Sequence, residues 1–85
     1  METKKEKIME QEVVKKFYEA VEEMFGRKVT PETRFVEDMN LTSGGYYMII
    51  AEMEELGAED ITYGQLKKSL TMEGAADLLL ENLAS

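Results

Sequence analysis

Val13, Val14, Phe17, Tyr18, Val21, Met24 and Phe25 recur three and four positions apart. That spacing gathers them on one face and predicts a first helix over roughly 8–25. Gly26 provides its stop, since glycine takes the left-handed conformation cheaply. Residues 1–7 carry no such apolar rhythm and are expected to be a flexible or frayed amino terminus. A loop follows, with Thr30-Pro31 and no strong periodicity through Arg34; Phe35 and Met39 are its expected anchors to the core.

A second helix is predicted from Ser43 to Leu56, with Gly57 as its stop. Tyr46, Tyr47, Ile49, Ile50 and Met53 supply its apolar content, and Glu52, Glu54 and Glu55 its solvated side. Gly44-Gly45 is unusual in a first turn, because each glycine costs up to about 1 kcal/mol relative to alanine inside a helix. That turn is expected to be weak, frayed or bent. Thr62-Tyr63-Gly64-Gln65 fits a capping box and predicts a short third helix to Lys68. Ser69-Leu70-Thr71 breaks the chain before a fourth helix over Met72 to Leu83, with Thr71 as cap and Ala75, Leu78, Leu79 and Leu83 facing inward. No β alternation, internal repeat or low-complexity linker interrupts this series. The predicted fold is all-α: one small four-helix bundle over 1–85, with a long loop between helices 1 and 2 and a short helix 3.

Composition narrows the chemistry. With 85 residues the chain allows one modest core, and 44% hydrophobic residues with a single proline argue against disorder over its length. Seven methionines and four tyrosines suit an adaptable core. There is no cysteine and no histidine, which removes disulfides, thiolate nucleophiles and the usual zinc ligands. No metal site and no catalytic residue are expected, because scattered carboxylates give no paired acid and base and no activated nucleophile. The amino-terminal Met1-Glu2-Thr3-Lys4-Lys5-Glu6-Lys7 lacks a following apolar run, so no secretory signal is read there. No stretch approaches the roughly 18–20 apolar residues that cross a bilayer. The expected location is the cytoplasm.

A net charge of −8 disfavours nucleic acid and anionic membrane surfaces as partners. The distribution adds to this. Lysines gather early (Lys4, Lys5, Lys7, Lys15, Lys16), whereas residues 35–66 hold Glu37, Asp38, Glu52, Glu54, Glu55, Glu59 and Asp60 with no lysine or arginine. Such a one-signed region steers encounter with basic partners, or is simply a solvated face.

Within this region Ser43 is the residue that offers chemistry. It lies where the loop meets the second helix, so either Thr42 or Ser43 can cap that helix with a side-chain oxygen. A hydroxyl at a helix mouth is also a place to attach a phosphate-linked group, since free N–H groups and the helix dipole favour the phosphate. Gly44 and Gly45 would let backbone approach it closely.

Phe35-Val36-Glu37-Asp38-Met39-Asn40-Leu41-Thr42-Ser43 resembles the signature of the acyl carrier proteins, the phosphopantetheine-binding family. There a phenylalanine and an acidic pair precede Asp-Leu-Gly-x-Asp-Ser-Leu. Asp38 matches the leading aspartate, Met39 the leucine, Asn40 the glycine and Ser43 the serine that carries 4′-phosphopantetheine. Ile49-Ile50-Ala51-Glu52-Met53-Glu54-Glu55 is similar to the family's aliphatic run ending in paired glutamates. Ile61, Leu66 and Thr71-Met72 resemble its third helix and the lead into its fourth. The likeness spans about Gln11 to Leu79. It departs at Thr42, where the family has aspartate, at Gly44, where it has leucine, and at the usually acidic positions held by Gly45 and Met48.

The resemblance implies a non-catalytic shuttle in a specialised fatty-acid, polyketide or nonribosomal-peptide pathway. It would carry acyl or aminoacyl groups as thioesters on a 4′-phosphopantetheine arm attached to Ser43, the arm coming from coenzyme A. The implied partners are a phosphopantetheinyl transferase and acyl-transferring or synthase enzymes with basic docking surfaces. They would meet Glu37, Asp38, Thr42, Gly44, Met48, Glu52, Glu54 and Glu55. Met48, Ile49, Met53, Ile61 and Leu66 are the expected walls of an acyl groove between helices 2 and 3. The protein is expected to be a monomer. The departures favour an alternative: an interaction or regulatory module that keeps the bundle without the prosthetic group and binds a basic partner through its acidic second helix.

Overall fold

A computed structural model describes residues 2–83, with side chains from Glu10 onward. The side chains of Lys4, Lys5 and Lys7 lie outside the described residues. Four helices follow in order: α1 (Glu2–Phe25), α2 (Ser43–Glu55), α3 (Tyr63–Lys68) and α4 (Met72–Glu81). Among the described residues there is no strand, only isolated antiparallel bridges joining Arg34 to Thr71 and Ala58 to Leu83.

The helix ends follow from identifiable residues. Gly26 leaves α1 at φ 65° and Gly57 leaves the end of α2 at φ 111°, both in the left-handed region that glycine enters without strain. Thr62 and Gln65 close the capping box of α3: Gln65 N–H donates to Thr62 Oγ1 at 3.2 Å, and Thr62 N–H donates to Gln65 Oε1 at 2.9 Å. Two boundaries differ from the expectation. α1 begins at Glu2 and so runs through the segment expected to fray; it is rich in glutamate and lysine, which sustain a helix without an apolar face. α4 stops at Glu81, where Asn82 caps it through Nδ2 donating to Leu78 O at 2.9 Å, and Leu83 serves the bridge to Ala58 instead.

α1 packs on α4 and α2, α2 packs on α3, and α3 on α4. Phe17, Phe35, Ile49, Met53, Leu66, Met72, Leu79 and Val21 are the large fully buried side chains at their centre.

The loop between α1 and α2 is tightly fastened. Val29 is buried and its N–H donates to Glu22 Oε2 at 3.0 Å. The first N–H groups of α4, on Met72 and Glu73, donate to Thr33 O at 2.9 Å and Pro31 O at 3.0 Å. These are orphan donors of a helix start, so loop and α4 satisfy each other's backbone. Phe35 N–H donates to Leu70 O at 3.1 Å. The chain then winds back on itself: Asp38 and Met39 N–H reach Arg34 O, Asn40 reaches Val36 O and Leu41 reaches Phe35 O. Asn40 takes φ 56°, a conformation that only glycine and asparagine-like residues adopt readily. This hydrogen-bonded coil delivers the chain to the start of α2.

Candidate functional site

Ser43 is the first residue of α2, exposed, immediately after the coil. Of the two hydroxyls able to cap the helix, Thr42 is the one that does. It has extended backbone dihedrals (φ −94°, ψ 172°), its carbonyl accepts from Tyr46 N–H at 3.0 Å, and its Oγ1 accepts from Gly45 N–H at 3.3 Å. The helix therefore does not need the Ser43 hydroxyl for its cap. The first turn of α2 also contains no acidic residue. A phosphate on Ser43 would meet the positive end of the helix without like-charge repulsion from that turn.

The glycine pair does not fray the helix. Both residues lie inside α2 and neither has positive φ. They serve different ends. A Cβ at Gly44 would meet only Thr42 Oγ1, at 3.8 Å. A Cβ at Gly45 would fall 2.6 Å from Leu41 Cδ1, 3.0 Å from Leu41 Cγ and 3.5 Å from Phe25 Cε1. Gly45 is buried there because the returning loop and the end of α1 press on α2 at that point. Opposite outcomes are expected on denaturant unfolding. Gly44→Ala should gain up to about 1 kcal/mol from helix propensity. Gly45→Ala should lose about 1–2 kcal/mol by displacing Leu41. A gain at Gly45 would show that Leu41 yields freely.

The acidic residues fall into two groups. In the loop, Glu37 pairs with Arg34 Nη1 at 2.9 Å, and Asp38 Oδ2 accepts from Arg34 N–H at 2.8 Å. Arg27 Nη1 donates to the Asp38 carbonyl. Arg34 lies one residue before the lysine- and arginine-free region, so its pairing tempers the acidity at Glu37 and Asp38. On α2, Gly44, Met48, Glu52 and Glu55 follow one another at helical spacing along one stripe. Ser43, Tyr47, Ala51 and Glu54 form the adjoining exposed stripe. Glu52 is half-buried, and its pKa lies above the ordinary 4.5 through burial, the Glu55 charge and hydrogen bond, and Glu23 of α1.

That shift has a sign. The folded chain holds the Glu52 proton more tightly than the unfolded chain does, so stability falls as pH rises from 4.5 through the raised value. Glu52→Gln should raise the thermal midpoint near pH 7, and the gain should shrink toward pH 4 as wild-type Glu52 takes up its proton. Melting both proteins at the two pH values checks this; an equal gain at both would assign the effect to packing.

The expected groove walls are mostly core. Ile49, Met53 and Leu66 are fully buried and Ile61 nearly so, whereas Met48 is 47% exposed. A hollow of about 620 Å³ lies elsewhere, lined by Val14 and Tyr18 of α1, Pro31 of the loop and Leu80 of α4, with no residue of α2 or α3. What periodicity could not show is an aromatic series at the α2–α3 seam. Phe35 meets Tyr46 edge-on at 5.9 Å, Tyr46 meets Tyr63 edge-on at 5.5 Å, and Tyr47 stacks on Tyr63 at 5.2 Å. Tyr46 is buried and Tyr47 is exposed.

No protein-family model, curated protein or solved structure matches this chain. No described helix is long and apolar enough to cross a membrane, and no group of potential metal-ligating side chains is found among the described residues.

Proposed function

We propose that this chain is an acyl carrier protein whose attachment residue is Ser43. The observation that carries this reading is the division of labour at the start of α2: Thr42 caps the helix and leaves the exposed Ser43 hydroxyl at its positive end. A second feature supports it. Asn40, which stands where the family signature has glycine, takes the positive φ that a glycine there would accommodate.

The residues suit a phosphopantetheine arm. Ser43 supplies the oxygen, the exposed Gly44 leaves room beside it, and the first turn carries no carboxylate to repel the phosphate. Attachment makes one bond and breaks one. Ser43 Oγ attacks the pantetheine-bearing phosphorus of coenzyme A, the phosphoanhydride bond opens, adenosine 3′,5′-bisphosphate leaves, and the serine proton passes to the transferase. Once attached, the arm supplies a thiol that holds an acyl group as a thioester. The protein's own share is to fix the attachment point and to present a docking face. On α2 that face comprises Met48, Glu52, Glu54 and Glu55. A basic enzyme surface placed against Glu52 and Glu55 would relieve the crowding of negative charge there. In this reading the first residue of α2 carries the arm and the rest of the helix addresses the partner.

The test is intact-mass spectrometry after co-expression with a broad-specificity phosphopantetheinyl transferase. One arm's mass gained per chain is expected; an unmodified chain beside an active transferase would overturn the reading. The Glu23–Glu52–Glu55 cluster also favours the second reading, an interaction module that needs no arm, since its attraction for a basic partner does not depend on Ser43. Stoichiometric capture of an enzyme partner by Ser43→Ala as tightly as by wild type would favour that module.

A further inference from the structure

Tyr47 lies one turn beyond Ser43 on the same face of α2. It is 58% exposed, yet its ring is fixed: it stacks on Tyr63 of α3 with centroids 5.2 Å apart and planes 27° from parallel. Tyr63 is held in turn by the edge of Tyr46, at 5.5 Å and 71°, and by Lys67 Nζ over its ring, 5.6 Å from the centroid. One face of Tyr47 is thus covered while more than half of the residue remains in water. A flat, preordered aromatic surface stands beside the attachment serine.

The same rings join α2 to α3 across their seam. Ile49 and Met53 of α2 and Leu66 of α3 have no exposed surface. A long aliphatic chain entering there would have to part the Tyr47–Tyr63 stack and displace side chains that already fill the core. An aromatic group needs no such opening, because it can lie on the outer face of Tyr47 in the offset geometry that ring pairs prefer. A tether makes that contact intramolecular, so stacking too weak to hold a free ligand is enough.

We propose that Tyr47 and Tyr63 select the cargo of this carrier: an aromatic acyl group tethered through Ser43 stacks on Tyr47 at the surface instead of entering between α2 and α3. The inference rests on Ser43 carrying the arm, and it goes further by naming the cargo class and the residues that choose it.

The full chain, loaded from benzoyl- or decanoyl-coenzyme A by a broad-specificity transferase, provides the test. Intact mass reads loading, and NMR reads contact. With benzoyl, the cargo's ring protons are expected upfield of their values in the free thioester, with matching shifts in the Tyr47 and Tyr63 rings. Tyr47→Phe should keep these shifts and Tyr47→Ala should abolish them; the exposed position allows both variants to fold. With decanoyl, the methyl signals of Ile49, Ile61 and Leu66 should stay in place. Complete loading with benzoyl protons at their free values, or decanoyl loading that moves those core methyls, would overturn the platform and leave the carrier reading intact. No mass gain with either thioester would overturn both. Tyr47 signals that move with protein concentration in the unloaded chain would assign the platform to a second copy, and the inference would fail.

Discussion

Ser43→Ala is expected to abolish the mass gain completely while changing unfolding free energy by no more than about 0.5 kcal/mol. The two halves of that expectation come from the same geometry. Ser43 is exposed, and the capping bond belongs to Thr42 Oγ1, so alanine at 43 removes the acceptor for the arm and leaves the cap of α2 in place. Thr42→Ala should behave in the reverse way, costing about 1 kcal/mol through the lost cap while leaving the serine available. Mass spectrometry and denaturant unfolding on both variants separate attachment from capping. If Ser43→Ala instead lost as much stability as Thr42→Ala, the hydroxyl would be structural, and the main support for attachment would be gone. If wild type and Ser43→Ala both gained an arm, the acceptor would lie at another hydroxyl.

Much of the bundle was legible because a helix packed on one side must repeat its apolar residues near every third and fourth position. That rule located α1, α2 and α4, and the Thr62–Gln65 pair located α3, whose reciprocal side-chain bonds are local and need no tertiary partner. The placement of Ser43 at the head of α2 was legible for a similar reason, since the loop lacks periodicity and the helix begins where it returns. The start of α1 was not, because residues 2–7 are helical without an apolar face, and periodicity registers only faces.

The loop and the seam were hidden for a different reason: their order is made of contacts between distant positions. Nothing near Thr33 in the chain announces that its carbonyl will serve the first turn of α4, and nothing near Gly45 announces that the Phe25 ring at the end of α1 will lie against it. The glycine pair therefore looked like a flaw in a helix, whereas Gly45 is the size that a close approach demands. Tyr46 and Tyr47 are adjacent and chemically alike, yet the helix turns one into the core and the other toward solvent and Tyr63. Sequence could not separate groove wall from core by the same logic: Ile49, Met53, Ile61 and Leu66 have the composition of either, and all four are buried.

Phe35→Ala should be the most damaging single change in the region that presents Ser43, costing about 3–5 kcal/mol. The ring is fully buried, meets Tyr46 edge-on, and comes from the loop, not from a helix. Its backbone is equally committed, with its N–H donating to Leu70 O at 3.1 Å and its carbonyl accepting from Leu41 N–H at 2.9 Å. Truncation leaves a cavity at the point where the loop is fastened to α2 and to the α3–α4 junction. Because a domain of this size has only about 5–15 kcal/mol of stability, a loss of that order takes a large share of it. The loosening should be local first. Amide hydrogen exchange at Phe35 and Leu41 is expected to accelerate before exchange in the α1–α4 contact does. Met39→Ala serves as the control, because Met39 is only half-buried and should cost less than half as much. Equal losses for the two would mean that the loop is held by its backbone bonds to Leu70 and α4 and not by the Phe35 ring. In that case the attachment serine would owe its position to hydrogen bonding across the bundle, and Thr33 and Leu70 would become the residues to alter next.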